Sequence, residues 1–103
     1  MYSRVTQLEI DTTRVSIDEA AWLFREQVAP RLQEQDGYEG GFALATPEGK
    51  GMIVTFWETE AEALYESGFA SAELDRYVTM FASPPGRECY EVAFSDLESV
   101  LVR

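Results

Sequence analysis

The first nine residues after Met1 set Tyr2, Val5, Leu8 and Ile10 among polar neighbours, and their β-branched content predicts a strand over 2–10. A loop spans Asp11 to Val15. The rhythm then slows. Ile17, Ala21, Phe24, Val28 and Leu32 recur every three or four residues, which makes one apolar stripe on a helix reaching about Gln35. Ser16 and Glu19 form a capping box at its start, and Pro30, whose nitrogen cannot donate, should kink the last turn. Gly37 suits the left-handed position that stops a helix. Two strands are expected next, about Glu39–Ala45 and Met52–Glu58, joined by turn chemistry in Pro47-Glu48-Gly49-Lys50-Gly51.

A second capping box, Thr59 and Glu62, opens a helix with Ala61, Leu64 and Tyr65 on one side. Gly68 weakens it, and a further helical piece carries Leu74, Tyr77, Val78 and Phe81. Ser83-Pro84-Pro85-Gly86 ends helical structure, and Arg87–Phe94 is the expected fourth strand. The tail Ser95–Arg103 ends in Val-Leu-Val, a candidate short extra strand. The order β-α-β-β-α-β is the ferredoxin-like, α+β arrangement, with helices on one face of an antiparallel sheet. Its other face is too apolar for water: Met52, Val54 and Phe56 point one way along the third strand while Ile53, Thr55 and Trp57 point the other. Two such sheets packed face to face, a dimeric α+β barrel, would bury it.

Length and charge narrow the possibilities. The 103 residues fit one domain over 1–103. A net charge of −11 argues against nucleic acid, which needs a basic face, and against an anionic membrane surface. No apolar run reaches the roughly 18 residues of a membrane span, and the N-terminal residues lack a secretory apolar core. With one cysteine, Cys89, neither an intramolecular disulfide nor a cysteine-based metal site is expected; it reads as a small, buried or half-buried hydrophobe. The expected location is the cytoplasm.

Gly37-Tyr38-x-Gly40 after the first helix, the strand end Phe56-Trp57-Glu58-Thr59-Glu60, and Tyr90-Glu91-Val92 near the end resemble the antibiotic biosynthesis monooxygenase group of the dimeric α+β barrel superfamily. The resemblance covers about residues 2–94. It implies the fold above, a homodimer, and a small apolar or aromatic ligand between sheet and helices. The superfamily spans cofactor-free oxygenases, heme-degrading enzymes, isomerases and members without assigned activity, so the resemblance is specific for fold rather than for chemistry.

The resemblance makes Trp57 the first site candidate, bordering the pocket where a flat substrate can stack; the competing role is a core tryptophan holding the third strand against the first helix. Cofactor-free oxygenation asks the protein to deprotonate an electron-rich phenol or quinol, stabilise the anion and admit oxygen. Arg4 or Gln7 could stabilise an oxyanion, although alternation puts them on opposite strand faces. Arg4 also reads as a surface or interface charge. Tyr65, Tyr77 or Tyr90 could donate a hydrogen bond, and Glu9 could serve as base if buried. Trp22 flanks the apolar stripe, as edge-of-core packing or a subunit contact.

The departures from the group are equally informative. The chain has no histidine, and Ser67-Gly68-Phe69 stands where heme-degrading relatives place an iron ligand, so heme held in that way is not expected. It has no asparagine either; Ile53 lies four residues before Trp57, where some oxygenases place one. No cofactor and no metal are expected. Two readings stay open: a cofactor-independent monooxygenase for an electron-rich aromatic or quinol-type molecule, and a non-catalytic dimeric ligand-binding or scaffold domain.

Overall fold

The computed structural model describes residues 1–64, 81–97 and 100–101. Strand β1 runs Tyr2–Ile10, β2 Tyr38–Ala45, β3 Lys50–Trp57 and β4 Phe81–Glu91. They form one antiparallel sheet in the order β2-β3-β1-β4, so the first and third strands lie side by side at its centre. That order and the intervening helices make the α+β, ferredoxin-like unit that the hydrophobic pattern implies.

The first helix begins where the capping box places it, with the Glu19 amide donating to Ser16 Oγ at 3.1 Å. It does not run evenly to Gln35. An α-helical segment, α1, spans Ile17–Leu23; a π-helical turn follows over Phe24–Val28; a second segment, α2, spans Ala29–Gln33. The irregular turn lies just ahead of Pro30, where the sequence predicts a kink. Pro30 sits in the first turn of α2, where a missing N–H leaves no gap in the ladder. Gly37, at φ +79°, then turns the chain into β2, and its carbonyl accepts from the Glu58 amide at 2.9 Å. The β2–β3 turn closes through Thr46 and Lys50, and Gly49, at φ +103°, offers its carbonyl to the Ile10 amide at 2.7 Å.

Residues 60–64 are helical, and the second capping box is formed: the Glu62 amide donates to Thr59 Oγ1 at 3.2 Å, and that hydroxyl donates to Glu62 Oε1 at 2.9 Å. The helical positions expected at Tyr65, Gly68, Leu74, Tyr77 and Val78 lie outside the described residues. Phe81 does not belong to a helix; it begins β4. The fourth strand therefore starts six residues earlier than expected and ends at Glu91 rather than Phe94. Ser83-Pro84-Pro85-Gly86 lies inside it. Proline is tolerated there because β4 is an edge strand and its pairing with β1 shifts register between Gln7 and Glu9. Beyond it, β5 (Asp96–Leu97) pairs antiparallel with β6 (Val100–Leu101) in a small separate sheet; β6 lies where the tail strand was expected, and β5 was not expected.

Alternation sorts the sheet into two faces. Leu32, Trp57 and Ala63 form a core on the helix side, with Tyr2, Phe24, Val28, Tyr38 and Cys89 packed around them. Val54 and Phe56 make a second cluster on the opposite face with Met1, Val5, Met52 and Val92. The third strand is thus apolar on both sides, as its sequence requires. Among the described residues no helix is long and apolar enough to cross a membrane.

Candidate functional site

The helix-side face of the sheet holds two different neighbourhoods. At one end, Trp57 is 1% exposed and is the largest side chain so enclosed among the described residues. Tyr38 meets it edge-on at 5.2 Å between ring centroids. Its indole Nε1 donates to Thr55 Oγ1 at 2.8 Å, and the Thr55 hydroxyl donates onward to the Arg4 carbonyl at 3.4 Å. Every polar edge of the ring is accounted for within the protein. Trp57 is thus packed as a core residue, and it is not among the described residues that line the cavity below.

At the other end lies an apolar cavity of about 110 Å³ between the sheet and the first helix. Leu8 and Ile10 of β1, Ile53 of β3, Ala43 of β2 and Phe81 of β4 form its floor; Ile17, Ala20, Phe24 and Val28 form its roof. Among the described residues its lining carries no charged or hydrogen-bonding side chain. Phe24 and Val28 belong both to this lining and to the shell around Trp57, so they are the wall between the two neighbourhoods. Both lie in the π-helical turn, whose wider i→i+5 loop helps set where that wall stands.

The other candidates separate by strand parity. Arg4 turns to the helix side and is 7% exposed, which rules out a surface charge; Thr6 and Thr55 are buried beside it. Gln7 points to the opposite face and is exposed, so the two proposed oxyanion partners do not converge. Glu9 shares the face of Gln7 and is exposed, without the burial that a base role required. Tyr90 is on that face too, 48% exposed. Tyr65 and Tyr77 lie outside the described residues. Trp22 is 49% exposed, beyond the core edge.

Cys89 is half-buried on the helix side, directly across β1 from Arg4. Burial pushes its thiol up; the Arg4 guanidinium pulls it down by less, and the Glu60 carboxylate adds slightly to the rise. A thiol held protonated in this way behaves as packing, in keeping with its sequence reading. Arg87 escaped that reading because it stood at the expected start of a strand. Alternation puts it two residues from Cys89 on the same face, opposite Thr6, with a buried Nε atom.

No protein-family model and no curated protein matches the sequence. Solved structures do match, across most of the chain. A protein of unknown function from Nitrosomonas europaea superposes with a TM-score of 0.74 at 20% identity, covering 93% of this chain and 92% of that one. A monooxygenase from the gene ActVA-Orf6 of Streptomyces coelicolor, in complex with nanaomycin D, gives 0.68 at 18% identity, covering 93% and 90%. The heme degrader MhuD of Mycobacterium tuberculosis, with two hemes bound, gives 0.65 at 14% identity, covering 92% and 98%. The chain has the antibiotic biosynthesis monooxygenase fold. Identities this low establish the fold alone. Within this fold the cavity lies between the sheet and the first helix, and Trp57 stands behind its wall.

Proposed function

We propose that the apolar cavity is the ligand site and that the protein is a cofactor-independent monooxygenase for a small, electron-rich aromatic or quinol-type molecule. The observation that carries this reading is the cavity itself: a space between sheet and helix, closed off from the Trp57 core and lined by aliphatic and aromatic side chains. An anthrone or naphthoquinol brings its own electrons. A proton leaves the substrate, the anion passes one electron to oxygen, and the two radicals join through a carbon–oxygen bond. Loss of water then leaves a quinone. Such chemistry asks for a dry, shaped site more than for an array of catalytic groups. The nanaomycin D complex of a protein with this fold supports the substrate class.

A second reading, ligand binding without turnover, is favoured by one observation: the described lining offers no acid or base. In both readings the chain acts as a homodimer, joined through the open sheet face. Oxygen uptake by purified, metal-free protein against anthrones and naphthoquinols separates the two. Protein-dependent uptake that falls in Ile53→Trp, which fills the cavity, supports the oxygenase. Tight binding of the same molecules with no uptake leaves the binding domain, and neither binding nor uptake removes the cavity as a site.

A further inference from the structure

The cavity has an open side. Ala43 pairs with Ile53 and Ala45 with Gly51, so both face the helix side of β2, the edge strand, and yet both are exposed. Ala20, in the roof, is buried. A flat ligand therefore enters over β2, across two of the smallest side chains of the lining, and advances toward β1.

How far it advances is set by volume and by one glycine. The space measures about 110 Å³, against the ~150 Å³ of a cavity that holds one benzene ring. One ring fits, edge first, and a fused second ring stays at the mouth. Gly51 lies directly opposite Leu8 on the helix side of the sheet. The end of the Leu8 side chain rests where a Cβ at position 51 would stand, so Leu8 rather than Gly51 lines the cavity. Leu8 lies flat because position 51 has no side chain. A Cβ there would turn it up into the space that the ring needs.

The chemistry of the lining decides which ring goes in. The described lining is aliphatic and aromatic, and a hydroxyl taken into it loses its water without gaining a side-chain partner. A plain hydrocarbon ring gains from the same burial. We infer that the ligand is a fused aromatic with one unsubstituted terminal ring, that this ring enters the cavity as far as Leu8, and that the oxygen-bearing ring stays at the β2 edge. The inference rests on the cavity being the ligand site. It narrows the substrate class to molecules whose oxygens are confined to one end. It also puts the reacting ring where its proton can leave to water, a step for which the described lining offers no base.

Two isomeric probes of identical formula test it. In 2,3-dihydroxynaphthalene, the one-ended diol, both hydroxyls share a ring; in 2,6-dihydroxynaphthalene, the two-ended diol, each ring carries one. Calorimetric titration without oxygen keeps turnover out of the measurement. The wild-type protein should bind the one-ended diol roughly tenfold more tightly, the scale of one buried hydroxyl left without a partner. Gly51→Ala, at a position with ordinary strand backbone, should weaken the one-ended diol by roughly fivefold or more, the scale of one excess methyl in a packed site. Leu8→Ala added to Gly51→Ala should restore its binding. Equal affinity of the wild type for the two diols, or a preference for the two-ended one, overturns the inference without any variant having to fold. So does binding of the one-ended diol that Gly51→Ala leaves unchanged. If neither diol binds the wild type, or if Ile53→Trp leaves the one-ended diol bound as before, the cavity itself falls as the site.

Discussion

At the residue scale, the decisive side chain is Trp57, whose described surroundings are those of a packed core residue. The indole is enclosed by Leu32, Ala63 and Tyr38, and its one donor is taken by Thr55. Trp57→Ala should therefore cost about 3–5 kcal/mol of stability, the range for truncating a buried aromatic. Thr55→Val keeps the volume but removes the acceptor of the indole N–H, and should cost about 1–3 kcal/mol. Urea unfolding of both variants measures the losses, and the same samples report oxygen uptake or probe binding. A Trp57→Ala protein that keeps wild-type stability while losing its ligand would restore the stacking role. Sequence left both roles open because tryptophan satisfies either; only the partners of its N–H and ring faces separate them.

At the element scale, much was legible and the misses share a cause. β-branched content located β1 and a period-3.6 stripe the first helix, and the Ser16 and Thr59 caps start helices where they stand. The hairpin of β2 and β3 follows from its turn residues. The errors fall where one local signal was allowed to decide alone. Pro84 and Pro85 read as a breaker, yet at a sheet edge they cost no ladder bond, so β4 runs through them. The π-helical turn carries no signature of its own; Phe24 and Val28 keep a spacing of four that an α-helix would also show. The resemblance implied a pocket between sheet and helices, but its lining was not legible, because it arises between elements, from where that turn places its side chains.

Gly37 shows what a correctly read local signal is worth. At φ +79° a Cβ is strained, and one built there would also meet the Glu62 carboxylate. Gly37→Ala should lower stability by about 1–2 kcal/mol, a fall in Tm of roughly 4–8 °C for each kcal/mol. The Glu62 carboxylate is the far end of a flexible side chain and can swing aside at the cost of its bond from Thr59, so backbone strain dominates. Gly37→Asn should then recover part of the loss, since asparagine tolerates the left-handed region. Calorimetry of the two variants decides it. Equal losses would point to the Glu62 contact as the cause.

At the scale of the whole molecule, the open sheet face argues for a second copy. Val54 and Phe56 sit there with Phe42, 40% exposed, and Leu44, 55% exposed, and the Phe42 and Phe56 rings lie 5.9 Å apart. An apolar patch centred on two edge-to-centre strands is what an association surface needs and what a lone domain avoids. Phe42→Asp should weaken self-association by at least thirtyfold, the scale of a central hot spot, because it places a carboxylate in the middle of the patch. Charge sets the sign of a second dependence. Each copy brings a net charge of −11, so the two repel, and salt shortens that repulsion to about 8 Å at 0.15 M. Dimerisation should therefore tighten as salt rises, the reverse of an interface held by ion pairs. Sedimentation velocity between 20 and roughly 300 mM salt reads both effects, with Debye lengths that fall several-fold across the series. A wild-type chain that stays monomeric at micromolar concentration across that range would leave the apolar face bare and remove the dimer from both functional readings.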